Sequence, residues 1–246
     1  MMKVKYMTAD TMNFNAEPVP EKKGRTRTVA DYNRSVKGKT TKTKYQRDNS
    51  KWETDTSYLK RQFLAWDGEG ITIADGSHLY VMLANSEGGY LADPAGLSTA
   101  ACLSFILAEV QKYPGRINVI YGGGYDFNCW LADISKEDLD GVYRKKKWNL
   151  DGFTVAWQKG KAFYLTDKTT QVTIYDVVSF FQCAFVKACD DYLGDNFAHR
   201  DVIVENKALR STFTSADIPT VKLYNEYELL NLIALMTELR SEEAHV

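Results

Sequence analysis

From residue 62 onward the chain alternates between short apolar runs and longer segments of helical period. "QFLAWD", residues 62–67, is a continuous apolar run ending in an acid and predicts a buried strand. "SHLYVMLANS", 77–86, predicts a second strand and "GGYLAD" a short third. Glycine-rich joints at 68–70, 76 and 88–89 suit an antiparallel meander. "LSTAACLSFILAEVQKY", 97–113, predicts a helix that Ser98 or Thr99 can cap and Pro114-Gly115 stops. "INVIYG", 117–122, is apolar along its length, as in a sheet interior covered on both faces. "DFNCWLADI" reads as helical. "FTVAW", "AFYLT" and "QVTIYDV" predict three more strands, with turns at Lys159-Gly160-Lys161 and Asp167-Lys168. "SFFQCAFVKACDDYL" reads as one helix. "VKLYNEYELLNLIALMTELR", 221–240, follows Pro219 and gives the strongest helical signal. A meander, then a helix, a buried strand and further helices predicts an α/β fold, a mixed sheet with helices on both faces.

The first 61 residues lack this pattern. They are rich in Lys, Arg, Thr, Gly and Asn and read as a flexible, disordered basic arm before one domain, 62–246. From Glu21 to Arg61 there are 13 Lys/Arg against 5 Asp/Glu; from Gln62 onward, 16 against 25. Such an arm suits a polyanion such as nucleic acid, and equally a solvated leader. No run of about 18 apolar residues is present, and the N-terminus lacks the apolar core of a signal peptide. A cytoplasmic protein without a membrane partner is expected. Cys102, Cys129, Cys183 and Cys189 form no CxxC pair and sit among apolar neighbours, as buried free thiols do in a reducing compartment.

Four acids stand at the ends of apolar elements or within them. Asp67 and Glu69, in "WDGEG", end the first predicted strand. Asp126 opens a helix just after the strand 117–122, and Glu228 lies inside the last helix, four residues after Tyr224. Residues four apart share a helix face, so Tyr224 and Glu228 can point into one site. Converging carboxylates need counter-charge. Hard divalent cations, Mg²⁺ or Mn²⁺, supply it through oxygen ligands, and two of them about 4 Å apart can clamp a phosphodiester for in-line cleavage. Each acid alone has an ordinary explanation, Asp126 as a helix cap and Glu228 as a solvated helix charge. Their order along the chain is the distinctive feature.

These motifs resemble those of the DEDD superfamily of 3′–5′ exonucleases, in its tyrosine branch. More narrowly, they resemble the proofreading domain of family B DNA polymerases of phage, organellar and viral type. "WDGEG" matches the first family motif, "IYGGGYDFN" the second and "YNEYELL" the third. The resemblance covers roughly residues 62–240. It implies an RNase H-like fold with a mixed five-stranded sheet flanked by helices. It also implies two divalent cations, with Asp67, Glu69 and Glu228 holding one and Asp67 and Asp126 serving the other. Tyr224 would orient the attacking water. The branch that uses histidine would carry it at Leu223. Two positions depart from the family: the last acid is usually Asp, and an Asn usually stands where this chain has Gly122.

Further roles follow from the same resemblance. "DVVSFFQ", 176–182, is similar to the segment that grips a frayed 3′ end, so Ser179 would bond a phosphate and Phe180 or Phe181 stack a base, although one of the two phenylalanines reads equally well as core. "NKALR", 206–210, offers Lys207, and after it Arg210, for the scissile phosphate. "YRKKKW", 143–148, is a basic cluster that fits a DNA contact and a plain surface hairpin equally. The expected activity is metal-dependent 3′–5′ digestion of single-stranded DNA, with a polymerase domain or subunit as partner and, for a phage protein, the host bacterial cytoplasm as setting. The chain ends soon after the third motif, so DNA synthesis by this chain alone is not expected. A non-catalytic DNA-binding or polymerase-docking module, and a stand-alone RNA-trimming exonuclease, are the alternatives.

Overall fold

The structure, a computed structural model, describes residues 60–73, 75–145, 148–150 and 152–243. Apart from Lys60 and Arg61, the basic arm lies outside these residues. The described chain is an α/β domain. In order it forms β1 (Phe63–Thr72), β2 (His78–Asn85), β3 (Tyr90–Ala92), α1 (Thr99–Lys112), β4 (Ile117–Ile120), α2 (Gly124–Cys129) and α3 (Lys136–Lys145). Then come β5 (Trp148–Leu150), β6 (Phe153–Gln158), β7 (Ala162–Thr166), β8 (Gln171–Asp176), α4 (Val178–Phe181), α5 (Phe185–Tyr192), α6 (Arg200–Leu209) and α7 (Ile218–Glu243).

The strands make one sheet in the order β3-β2-β1-β4-β8-β7-β6-β5. β1, β4 and β8 run parallel; the remaining pairs are antiparallel. The sheet therefore has eight strands, not five. The meander β6–β7 continues it beyond β8, and β5, which begins at the end of the basic cluster, adds an edge strand by pairing with β6. β1 is also longer than expected. It runs past Asp67 to Thr72 because β2 pairs with it as far as Thr72 opposite His78.

Strand alternation divides the core. Leu64 and Trp66 face one way, with Leu83, Ile120 and Ile174, against Leu103 and Ile106 of α1 and Phe127 of α2. Phe63 and Ala65 face the other way, with Ala84 and Val119, against Phe185 of α5 and Leu229, Leu232 and Leu235 of α7. Each such leucine contributes about 1.5–3 kcal/mol through burial. Cys102 and Cys189 are buried and Cys129 and Cys183 partly so, all as free thiols. The helix expected over "SFFQCAFVKACDDYL" is interrupted at Gln182, whose φ of 54° caps α4 before α5 begins. The helix expected over "DFNCWLADI" stops at Cys129. Pro219 falls in the first turn of α7, where no intrahelical N–H is required of it.

Candidate metal centre

β4 ends at Ile120, opposite Trp66 of β1. From Asp67 onward β1 keeps β2 on one side and has no described strand on the other. The chain leaving β4 turns away through Gly122, whose φ of 69° is in the left-handed region that glycine adopts freely. The Gly122 N–H donates to Asp176 Oδ1 at 2.9 Å, which fixes that turn. The vacated edge of β1 forms the floor of a cleft of about 410 Å³.

The same alternation that buries Phe63 and Ala65 under α7 carries Asp67 and Glu69 to that face. α7 presents Tyr224 and Glu228 to it, one helical turn apart. The result is that carboxylate oxygens of Asp67, Glu69 and Glu228 lie within 4.8 Å of one another. Asp126 lines the same cleft from α2 but stands outside that group of three. Its Oδ1 accepts a hydrogen bond from the Tyr80 hydroxyl at 2.9 Å. Asn225, next to Tyr224, donates Nδ2–H to Asp67 Oδ2 at 2.9 Å.

The electrostatics are those of an acid cluster short of positive charge. Burial, then the charges of Glu228, Glu69 and Asp126, hold Asp67 well above the usual carboxylate range, with Lys207 opposing. Glu69 is raised in the same way, by burial first and then by Glu228. Burial pushes Asp126 up to about 7, although the Tyr80 hydrogen bond pulls against it. Tyr224 is held far above its ordinary value by burial and by Glu228, so it stays a protonated donor. Lys207 forms an ion pair with Glu228, and its Nζ lies 5.5 Å from the centre of the Phe185 ring and 5.8 Å from that of Tyr224. Burial works against the Lys207 charge, but Glu228, Asp67 and Glu69 outweigh it and raise its pKa.

Of the residues singled out in the sequence, Asp67, Glu69, Asp126, Lys207, Arg210, Tyr224 and Glu228 all line the cleft. Ser179, Phe180 and Phe181 do not. Phe181 belongs to the core under α7 and stacks on Tyr121 with ring centres 5.8 Å apart. Tyr121 lines the cleft, so Phe181 supports a wall and does not face the site. Phe180 is 63% exposed on the neighbouring surface, and Ser179 is exposed beside it. The side chains of 143–148 fall outside the described residues.

Several site residues were not anticipated. Asp176 ends strand β8 and acts on the site through Gly122; β8 alternates between buried and more exposed positions, so the continuous apolar run that leads to Asp67 does not precede it. His78 lines the mouth of the cleft, where its Nε2 and the Tyr125 hydroxyl are hydrogen-bonded at 2.5 Å. Asn225 and Tyr80 carry no local signal.

The donor set fits hard divalent cations. It is made of carboxylate oxygens without a sulfur or imidazole ligand, as Mg²⁺ and Mn²⁺ prefer. Asn225 Oδ1 is in addition buried without a hydrogen-bond partner beside Asp67. No family model, curated protein or solved structure matches this chain.

Proposed function

We propose that this chain is a metal-dependent 3′–5′ exonuclease of the tyrosine branch of the DEDD superfamily, acting on single-stranded DNA. One observation carries the reading. Asp67, Glu69 and Glu228, separated by up to 161 residues, bring carboxylate oxygens within 4.8 Å of one another in a cleft that also holds Asp126, Tyr224 and Lys207. The replacement of the usual last Asp by Glu228 is compatible with this, since its oxygens reach the other two acids. The strand run β3-β2-β1-β4-β8, with helices on both faces, supports the RNase H-like part of the reading; β7, β6 and β5 then extend it at one edge.

Asp67, Glu69 and Glu228 would hold one divalent cation, and Asp67 with Asp126 the other. When bound, the ions supply Lewis-acid charge and lower the pKa of water. Tyr224, kept protonated, donates a hydrogen bond that orients the attacking water. Attack at phosphorus breaks the P–O3′ bond and releases a nucleoside 5′-monophosphate, leaving a new 3′-hydroxyl on the shortened strand. Lys207 neutralises the phosphate once it exchanges Glu228 for the substrate, and Arg210 adds a second positive charge at the cleft. A cleft of about 410 Å³ suits a single terminal nucleotide. Proofreading beside a polymerase domain or subunit, in a cytoplasm, is the setting the reading implies. Among the described residues no helix is long and apolar enough to cross a membrane.

The non-catalytic alternative is favoured by one observation: Lys207 already balances Glu228. A 3′-labelled single strand incubated with the protein and Mg²⁺ or Mn²⁺ separates the two. Release of labelled mononucleotide that disappears in the Asp67→Ala, Glu69→Ala double variant is expected. Metal binding without release, or release that persists in that variant, would remove the assignment.

A further inference from the structure

Asp126 stands apart from the other three acids, and the side chain that holds it is not a cation but an uncharged phenol. Tyr80, on β2, is 6% exposed, and its hydroxyl makes two hydrogen bonds of 2.9 Å: it accepts from Trp130 Nε1–H and donates to Asp126 Oδ1. The direction of this chain is fixed by its chemistry. An indole nitrogen can only donate, so Tyr80 meets Trp130 with a lone pair. Its single proton is then committed to Asp126.

Two features of the sheet place the tyrosine there. The pairing of β1 with β2 passes from Glu69 opposite Met82 to Gly70 opposite Tyr80, leaving Val81 without a counterpart. Val81 and Met82 both pack with Val221 of α7. Strict alternation from Met82 would place Tyr80 on that same face. The unpaired residue instead returns Tyr80 to the other face, with Leu83 and Trp130. The second feature is Gly68, between the two acids of β1. A Cβ at that position would lie 1.7 Å from the Tyr80 hydroxyl oxygen. Glycine separates Asp67 from Glu69 because the tyrosine hydroxyl occupies the space a side chain would need.

We infer that Tyr80 is the positioning residue for Asp126: a one-way donor chain from Trp130 through Tyr80 fixes the Asp126 carboxylate, as an acceptor and in one orientation, for the second divalent cation. The inference rests on the nuclease reading and deepens it. Tyr80 does not touch the reacting atoms. Partners of metal-binding carboxylates that act in this way commonly change metal affinity by about 10–100-fold when removed.

The test is a Mn²⁺ titration of the full chain, read by the electron paramagnetic resonance signal of free Mn²⁺. Wild-type protein is expected to bind two ions of unequal strength. Tyr80→Phe keeps the ring and should weaken the weaker position by about 10–100-fold while sparing the stronger one. In an Asp126→Asn background the same substitution should change nothing further. Trp130→Phe leaves the tyrosine but removes the donor that fixes its direction, and should weaken the same position to a smaller extent. Unchanged binding in either single variant overturns the inference. An equal loss with and without the Asp126 carboxylate does so too, because it marks a general structural effect. Wild-type protein that binds no Mn²⁺ would overturn the nuclease reading as well, an outcome distinct from the others.

Discussion

Asn225 donates its side-chain N–H to Asp67 Oδ2 at 2.9 Å, linking the last helix to the middle of the first strand across 158 residues of sequence. The bond gives a half-buried, charge-crowded carboxylate a neutral donor and ties it to α7, the helix that carries Glu228. Asn225→Ala should therefore destabilise the protein by about 1 kcal/mol in urea unfolding, the lower end of the usual cost of leaving a polar partner unmet, since Asp67 is half-buried. Asn225→Asp should cost more at neutral pH, since it sets another acid against Asp67. Equal stability of the two variants would mean that the amide acts only as filler.

The raised pKa of Asp126 has a definite sign. Its folded value of about 7 exceeds the ordinary 3.8, so over that interval the folded chain holds a proton that the unfolded chain has released. Stability from this group therefore falls as pH rises from 3.8 to about 7 and is fully lost above it. Asp126→Asn cannot ionise. In the presence of a chelator, its melting temperature relative to wild type should rise from about pH 4 to about pH 8, following the same proton linkage. A difference that does not vary with pH would show that the carboxylate is not held in this way.

Lys207 is the counter-charge of Glu228 before any metal arrives. Lys207→Met should lower the melting temperature of chelator-treated protein, corresponding to up to about 3 kcal/mol for breaking a partly shielded pair. It should also enlarge the melting-temperature rise on adding Mn²⁺, because the metal no longer competes with an ammonium group. Nucleotide release should fall, since the phosphate loses its nearest cation. A smaller Mn²⁺ response in the variant would contradict this role.

The adjacent phenylalanines of α4 separate by burial. Phe180, 63% exposed, is the one available to stack a base; Phe180→Ala should weaken single-stranded DNA binding by about 1–3 kcal/mol and leave the melting temperature unchanged. Phe181→Ala should instead lower stability by about 3–5 kcal/mol through loss of core packing against Tyr121. Fluorescence anisotropy of a labelled oligonucleotide and thermal melting distinguish the two. The opposite assignment of effects would place the base-stacking surface elsewhere.

The acids were legible in the sequence through their order along the chain, Asp67 and Glu69 after an apolar run, Asp126 after the buried strand β4 and Glu228 inside the last helix, and not through any one of them alone. The period of α7 likewise gave Tyr224 and Glu228 a common face. What supports those acids was not legible. Asn225 is one polar residue among several on a helix, and only the packing of α7 on β1 gives it a partner. The side of the sheet that Tyr80 takes depends on Val81 lacking a counterpart, and that is decided by pairing with β1 and not by the composition of β2. β5 was missed because its three residues, just after the basic cluster, are too few to show alternation and are a strand only by virtue of their pairing with β6.

The central claim, that these carboxylates gather divalent cations for phosphodiester hydrolysis, is tested most directly by crystals soaked with Mn²⁺ and a nucleoside 5′-monophosphate, with anomalous scattering used to locate the metal. The account predicts two Mn²⁺ peaks about 4 Å apart, one among Asp67, Glu69 and Glu228 and the other between Asp67 and Asp126, with the nucleotide phosphate bridging them and Lys207 turned from Glu228 toward it. Crystals that bind Mn²⁺ only at surface carboxylates, with Lys207 still paired to Glu228 and no metal in the cleft, would contradict it.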